Sequence, residues 1–403
     1  MSFNLKNELL MKLFVTVLLA VGMWLPSFAQ KDAAFWNKMA DGMSQALVKN
    51  FWGANFKGHP ERYYFNYGSN MSNMTTNHYW PQAHAMDVLV DAYMRTGDKL
   101  YKDLYPLWWK GAPVYNFAGK MNSKDPWWNV FVDDMEWIVL AQIRMFESTG
   151  NKEYIDKARQ IYDDWIWPTW GPEDEAPWFG GITWKTDVDK SKNACSNGPA
   201  ALVAARLYRF FDQAQFKDGK VRNAYLNEAI KIFTWEKNVL FDRNSGAVYD
   251  NINAKGEIQK NWIFTYNAGT FLGAAHELYL ITGDKQYLDD AVLAGRYVIE
   301  QLAKNGILPD ATSGDGGLFH GIFFRYFVKL INEETLEIGV RKKFHDWFTN
   351  LATVMAEQGV NPNTMLYAGR FQKAPADDEP VGLTPHLTGC MLMEAMCVLK
   401  PLK

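Results

Sequence analysis

Residues Trp127–Gly150 read WWNVFVDDMEWIVLAQIRMFESTG. Behind two tryptophans and a pair of aspartates, Asp133 and Asp134, apolar residues cover most of a helical circumference: Met135, Trp137, Ile138, Val139, Leu140, Ile143, Met145 and Phe146. A helix that is apolar nearly all round is a buried helix. Burying one carboxylate without a partner is costly, and burying two side by side is more so. A helix N-terminus lowers that cost, because its free N–H groups and dipole favour negative charge. The pair is therefore expected at the mouth of a cleft, where an inner helix begins. The chain holds four Asp-Asp pairs, and three of them read as solvated surface. Asp163-Asp164 and Asp289-Asp290 lie in amphipathic segments, and Asp377-Asp378 lies in a polar loop with proline. Only Asp133-Asp134 has apolar and aromatic flanks, and perturbed carboxylate pairs gather at active sites.

The same kind of apolar segment recurs along the chain, starting near Asn77, Val130, Asn193, Ile263, Leu318 and Thr384. Small residues punctuate these segments, as in Gly198–Ala205 and Gly269–Ala275. Between them run amphipathic segments over roughly 32–50, 98–109, 151–166, 222–239, 284–304 and 334–358. Apolar passes to amphipathic through short turns that echo one another: Thr96-Gly97-Asp98, Thr149-Gly150-Asn151 and Thr282-Gly283-Asp284. Glycine supplies the left-handed position that ends one helix, and Asp or Asn can cap the next. The return connections are long and rich in tryptophan, Trp127, Trp128, Trp184 and Trp262 among them. Repeated helical hairpins, each with one all-round apolar member, predict an all-α fold, an (α/α)6 toroid with six inner and six outer helices. The long loops and the N-termini of the inner helices then share one face, where binding groups usually sit. Strand signals are few; 246–250 could form a small hairpin within a loop.

Composition bounds the partners. The chain has 403 residues and a formal net charge of -3, with no basic patch, so nucleic acid is not expected. Lys12 precedes an apolar run, Leu13–Leu25, that is short for a membrane span, and Ser27-Phe28-Ala29 suits a signal peptidase. The reading is a signal peptide over 1–29 and a single catalytic domain over 30–403. Export to a periplasm or beyond is expected, with no membrane insertion once the signal is removed. Three cysteines give no disulfide framework, and no zinc spacing is present, so neither metal nor cofactor is implied. A monomer is expected.

A carboxylate pair ringed by aromatics suits carbohydrate chemistry. Glycoside hydrolysis needs one carboxylic acid to protonate the leaving oxygen and a second carboxylate as nucleophile or base. Like charges held close push the two pKa values apart, which assigns the roles. Polar groups near the starts of the other apolar segments are candidate ligand contacts: Asn77, His78, Trp80, Gln82, His84 and Asp87; Asn193, Ser196 and Asn197; Tyr266 and Asn267; Asp315, His320 and Arg325. Trp128 and Asn129, beside the pair, complete the expected contacts.

Five of these segments together resemble glycoside hydrolase family 76: Trp80–Asp87, Val132–Trp137, Lys192–Gly198, Thr265–Gly269 and Phe319–Tyr326. The resemblance spans about 35 to 397. Val132 departs from it, standing where the pattern has a tyrosine. It implies an (α/α)6 fold and endo-acting cleavage of α-1,6-mannan with retention. It also implies Asp133 as nucleophile and Asp134 as acid/base. Two other readings compete. One is another (α/α)6 sugar enzyme, a transglycosylase or an epimerase, the latter using His84, His276 or His320 as a base. The other is a non-catalytic glycan-binding protein, which needs the aromatic loops but not the carboxylate pair.

Overall fold

A computed structural model describes residues 31–53, 79–116, 125–187, 190–211 and 222–402. The expected signal segment, together with Asn77 and His78, lies outside the described residues. Residues Ala33–Lys403 form one compact unit. Its twelve principal helices among the described residues alternate as the sequence predicts. The outer ones are α1 (Ala33–Phe51), α3 (Tyr105–Tyr115), α5 (Lys152–Ile161), α7 (Arg222–Val239), α9 (Lys285–Tyr297) and α11 (Ile338–Val354). The inner ones are α2 (Tyr79–Thr96), α4 (Val132–Thr149), α6 (Ala194–Phe211), α8 (Thr265–Thr282), α10 (Gly316–Ile331) and α12 (Leu383–Val398). Each inner helix packs on the next, and α12 packs back on α2, closing an (α/α)6 ring. The close approach needs small residues. A Cβ on Gly269 of α8 would sit 2.7 Å from the Cα of Phe323 on α10, and one on Gly198 of α6 would sit 2.7 Å from Thr270 Oγ1 on α8.

Two details differ from the sequence reading. The segment 98–109 is not one helix: a single turn, Lys99–Lys102, precedes α3, which starts beside Pro106 and runs on to Tyr115. Proline lacks an N–H and is best accommodated in the first turn of a helix, so the chain restarts at Pro106, although Pro113 lies further inside α3. The predicted hairpin at 246–250 becomes part of a longer irregular wall. Val248 bridges Phe241, Tyr249 bridges Ile263, and the two-residue strand β2 (Asn251–Ile252) pairs antiparallel with β1 (Lys192–Asn193).

The three Thr-Gly-Asp/Asn turns are built alike. Thr96, Thr149 and Thr282 donate their hydroxyls to the carbonyls of Ala92, Met145 and Leu278 and accept from the N–H groups of Asp98, Asn151 and Asp284. Those three residues in turn cap the next helix through side-chain oxygens. Gly97, Gly150 and Gly283 sit at φ 69°, 71° and 72° with open space where a Cβ would go. Gly283→Ala is therefore expected to cost about 1 kcal/mol through backbone strain alone. A denaturant midpoint unchanged by this substitution would contradict that.

The far end of the ring is closed by charge. Arg144 on α4 donates to Asp87 Oδ1 on α2 at 2.9 Å and also pairs with Asp91. Arg325 on α10 reaches the same two aspartates, at 3.7 Å from Asp87 and 2.8 Å from Asp91. Arg206 on α6 pairs with Glu277 on α8 at 3.4 Å, and Arg95 on α2 pairs with Glu394 on α12 at 2.7 Å. All six inner helices carry a member of this network.

Candidate active site

At the opposite end, where the inner helices begin, lies a cleft of about 1000 Å³. Asp133 and Asp134 form part of its floor in the first turn of α4. The residue before that helix, Phe131, offers no side-chain cap, so the first-turn N–H groups stay available to the carboxylates. Aromatic rings wall the cleft: Trp80, Phe131, Trp137, Trp184, Trp262, Phe264, and Tyr266 stacked on Phe319 at 4.0 Å. Trp80 Nε1 donates to Asp315 Oδ1 at 3.2 Å, tying the starts of α2 and α10 across the mouth.

Both carboxyls are pushed upward, chiefly by burial, but not equally. Burial raises Asp133 to about 7, while the Cys195 thiol and the backbone N–H groups of Asp133 and Asp134 favour its charged form. Asp134 is raised well above the ordinary carboxylate range by burial, then by the charge on Asp133, then by Asp315. Asp133 therefore ionises first, and Asp134 holds its proton beside that charge. Asn129 donates to Asp134 Oδ2 at 3.2 Å and to Asn116 Oδ1 at 3.0 Å, and Asn116 grips the carbonyls of Pro126 and Trp128. Asp134 is thus held by an amide chain from the loop before α4.

The structure sorts the other expected contacts into three groups. Trp80, Asn193, Tyr266 and Asp315 line the cleft. Asn129 and Asn267 stand one step behind it, Asn267 donating to the cleft residue Asp250 at 3.1 Å. The rest do not reach it. Gln82 is fully buried on α2. His84 is buried between Trp80 and Trp137, with ring centroids 5.6 Å and 4.9 Å away. Burial lowers its pKa to about 3, so it is neutral packing behind the wall rather than part of it. Asn197 spends its amide on both backbone groups of Ile182 and the carbonyl of Asn193. Asp87 and Arg325 belong to the ionic network at the far end. Trp128 is half-buried and packs against the core. Ser196 is fully buried. His320 is held between Thr265 Oγ1 at 2.8 Å and the Pro309 carbonyl at 3.0 Å, and His276 pairs with Glu333 at 3.2 Å. None of the three histidines that an epimerase would use as a base lines the cleft.

Sequence reasoning missed Cys195, Asp250, Asn251 and Phe319, which also line it. Phe319 had a signal in the sequence: it opens an apolar helix, one turn in. Asp250 and Asn251 had none nearby, because the pairing of Lys192 with Ile252 brings them in from a distant loop.

A family model described as glycosyl hydrolase family 76 matches residues 35–402. The chain belongs to that family. It is a glycoside hydrolase, and its substrates are carbohydrates. It is similar to an inactive variant of the α-1,6-mannanase GH76A of Salegentibacter sp. HEL1_6, solved with α-1,6-mannotriose. That protein is 33% identical, with 91% of this chain and 100% of that one covered and a TM-score of 0.78. The unaltered GH76A structure is 34% identical over 91% and 100% of the two chains, also at 0.78. The Lin0763 protein from Listeria innocua is 27% identical over 89% and 96%, at 0.75. No curated protein matches the chain.

Proposed function

We propose that this hydrolase is an endo-acting α-1,6-mannanase that retains anomeric configuration. The observation that carries the reading is the split pair at the start of α4 in a chain a third identical to α-1,6-mannanases. Asp133, the more readily ionised, attacks the anomeric carbon and forms a glycosyl ester. Asp134 gives its proton to the departing glycosidic oxygen. Water then attacks the same carbon, Asp134 takes the water's proton, and the ester to Asp133 breaks to release the product. Trp80, Trp137, Trp184 and the Tyr266–Phe319 stack offer flat apolar faces for sugar rings. A cleft of about 1000 Å³ leaves room for several of them, which supports attack within a chain. The apolar run and small residues of segment 1–29 support export to a periplasm or the medium.

The test is incubation of the mature chain with unbranched α-1,6-mannan, following product sizes by chromatography and early anomers by NMR. A ladder of oligosaccharides in the α configuration is expected. A single small product would refute endo action, and early β anomers would refute retention. Asn129→Ala is expected to lower kcat about 10-fold with little change in KM, because it frees the acid without touching the sugar walls. An unchanged kcat in Asn129→Ala would show that the amide donor does not matter.

A further inference from the structure

The wall of the cleft has a second side. Side chains alternate along Ser191–Asn193, as they do on any extended segment. Ser191 and Asn193 line the cleft, whereas Lys192 lines a separate cavity of about 230 Å³. Trp170 and Trp178 flank that cavity, with Thr183 and Gly180 beside them and Glu175 and Lys190 at its edge.

Two donors here lack acceptors. Lys192 is 6% exposed, and its amine, which is not wholly cut off from solvent, finds no partner among the described residues. Trp170 Nε1 is buried and equally unpartnered among them. Buried cations are normally paired, and buried N–H groups are normally bonded, so two such groups on one small cavity call for a shared acceptor. The nearest candidate does not serve: Glu175 is exposed and pairs with Lys190 at 3.7 Å. Burial draws the Lys192 pKa down to about 8, with Glu175 opposing and Lys190 adding to the fall. Lys231 lies 5.3 Å from the Trp170 ring and Lys190 5.9 Å from the Trp178 ring, but each is paired with a glutamate, Glu173 and Glu175, which leaves Lys192 as the cation of this cavity without a paired carboxylate among the described residues.

We propose that this cavity is a second ligand site, taking one anionic group carried on a single sugar ring. The anionic oxygens accept from Lys192 Nζ and Trp170 Nε1, and the two indoles face the ring. The volume lies below the roughly 300–1,000 Å³ usual for ligand sites, which limits the occupant to one ring. The site adjoins the cleft through more than Lys192. Trp178 Nε1 donates to the carbonyl of Asn253, itself a cleft residue, at 3.0 Å. An acidic substituent on a bound glycan would therefore be read beside the cleft and apart from the carboxylate pair.

Titration calorimetry on the mature chain tests this, with mannose 6-phosphate, inorganic phosphate and mannose as separate probes. Mannose 6-phosphate is expected to bind the natural protein more tightly than either of the others. Lys192→Met should weaken it at least about 10-fold, the scale of a lost charge-assisted hydrogen bond. Trp170→Phe keeps an aromatic wall, removes only the indole N–H, and should weaken it severalfold. Unaltered affinity in Trp170→Phe overturns the proposal even if Lys192→Met fails to fold. Inorganic phosphate binding as tightly as the sugar phosphate also overturns it. Turnover is not read, so the outcome is independent of whether the cleft cleaves mannan.

Discussion

Asp133→Asn and Asp134→Asn are each expected to abolish cleavage of unbranched α-1,6-mannan while leaving the glycan bound. The two losses should differ in kind. Asp134→Asn removes proton transfer, worth about 10²- to 10⁴-fold in general acid–base catalysis. That loss should shrink on a substrate whose leaving group needs no proton, because only the first step then escapes the defect. Asp133→Asn removes the attacking group, and no leaving group compensates for it. The pH profile should follow the same division. Burial lifts Asp133 to about 7, and burial and the Asp133 charge lift Asp134 well above its ordinary range, so the rising limb belongs to ionisation of Asp133 and lies well above the ordinary carboxylate value of about 4. The falling limb belongs to Asp134. A profile already flat at pH 5 would reject this ordering. Either variant retaining turnover would reject the proposed roles. A natural protein that binds mannan without cleaving it would return the cleft to the glycan-binding reading.

The alternation of helices, the short turns and the acidic pair were all legible in the sequence because each depends on local pattern. What the sequence concealed was depth. Most side chains that reach the cleft from an inner helix come from its first turn: Trp80 on α2, Asp133 and Asp134 on α4, Cys195 on α6, Tyr266 on α8 and Phe319 on α10; the large Trp137 reaches it from one turn further along α4. Each further residue carries the chain about 1.5 Å down the ring. His84, at the same depth on α2 as Trp137 on α4, is covered by the rings of Trp80 and Trp137, and Asp87 is deeper still. Arg325, well along α10, is more than ten ångströms below the mouth by the same rise. Residue type made all of these credible ligands, and position along the helix removes them. Asn197 fails for another reason: it lies in the first turn, but its amide is consumed in fixing the backbone of Ile182. Trp262 was legible as a loop tryptophan on the binding face, but the Asp250–Gln259 part of the wall stayed hidden because its place depends on pairing between segments some sixty residues apart, Lys192 with Ile252.

The residues that depth removes from the cleft bear instead on stability, and Asp87→Ala is expected to be the most damaging single change outside it. Asp87 is 4% exposed and faces two guanidinium groups, those of Arg144 and Arg325. Removing Asp87 leaves both guanidinium groups to share Asp91, and since stranding a buried charge outright costs about 3–5 kcal/mol, the loss is expected to be at most of that size. Burial alone would raise the Asp87 pKa, but Arg325 and Arg144 outweigh it and hold the carboxyl at about 2. The sign follows from that. The unfolded chain binds the proton near pH 4 and the folded one only near 2, so the ion pair stabilises fully above about 4 and loses its effect as pH falls toward 2. Denaturant midpoints of the natural protein and Asp87→Ala should therefore differ most at neutral pH and converge below 4. Buried carboxyls with raised values behave in the opposite way. Glu136 and Glu236 are fully buried, and burial pushes both upward, so acidification toward 4 favours the fold through them. Both proteins share that gain, and it cancels in the difference. A gap between the two midpoints that stays constant from pH 7 to pH 3 would mean that Asp87 matters for its packing and not for its charge. The charge that ties α2 to α4 and α10 would then rest on Asp91, with Asp87 adding only apolar contact.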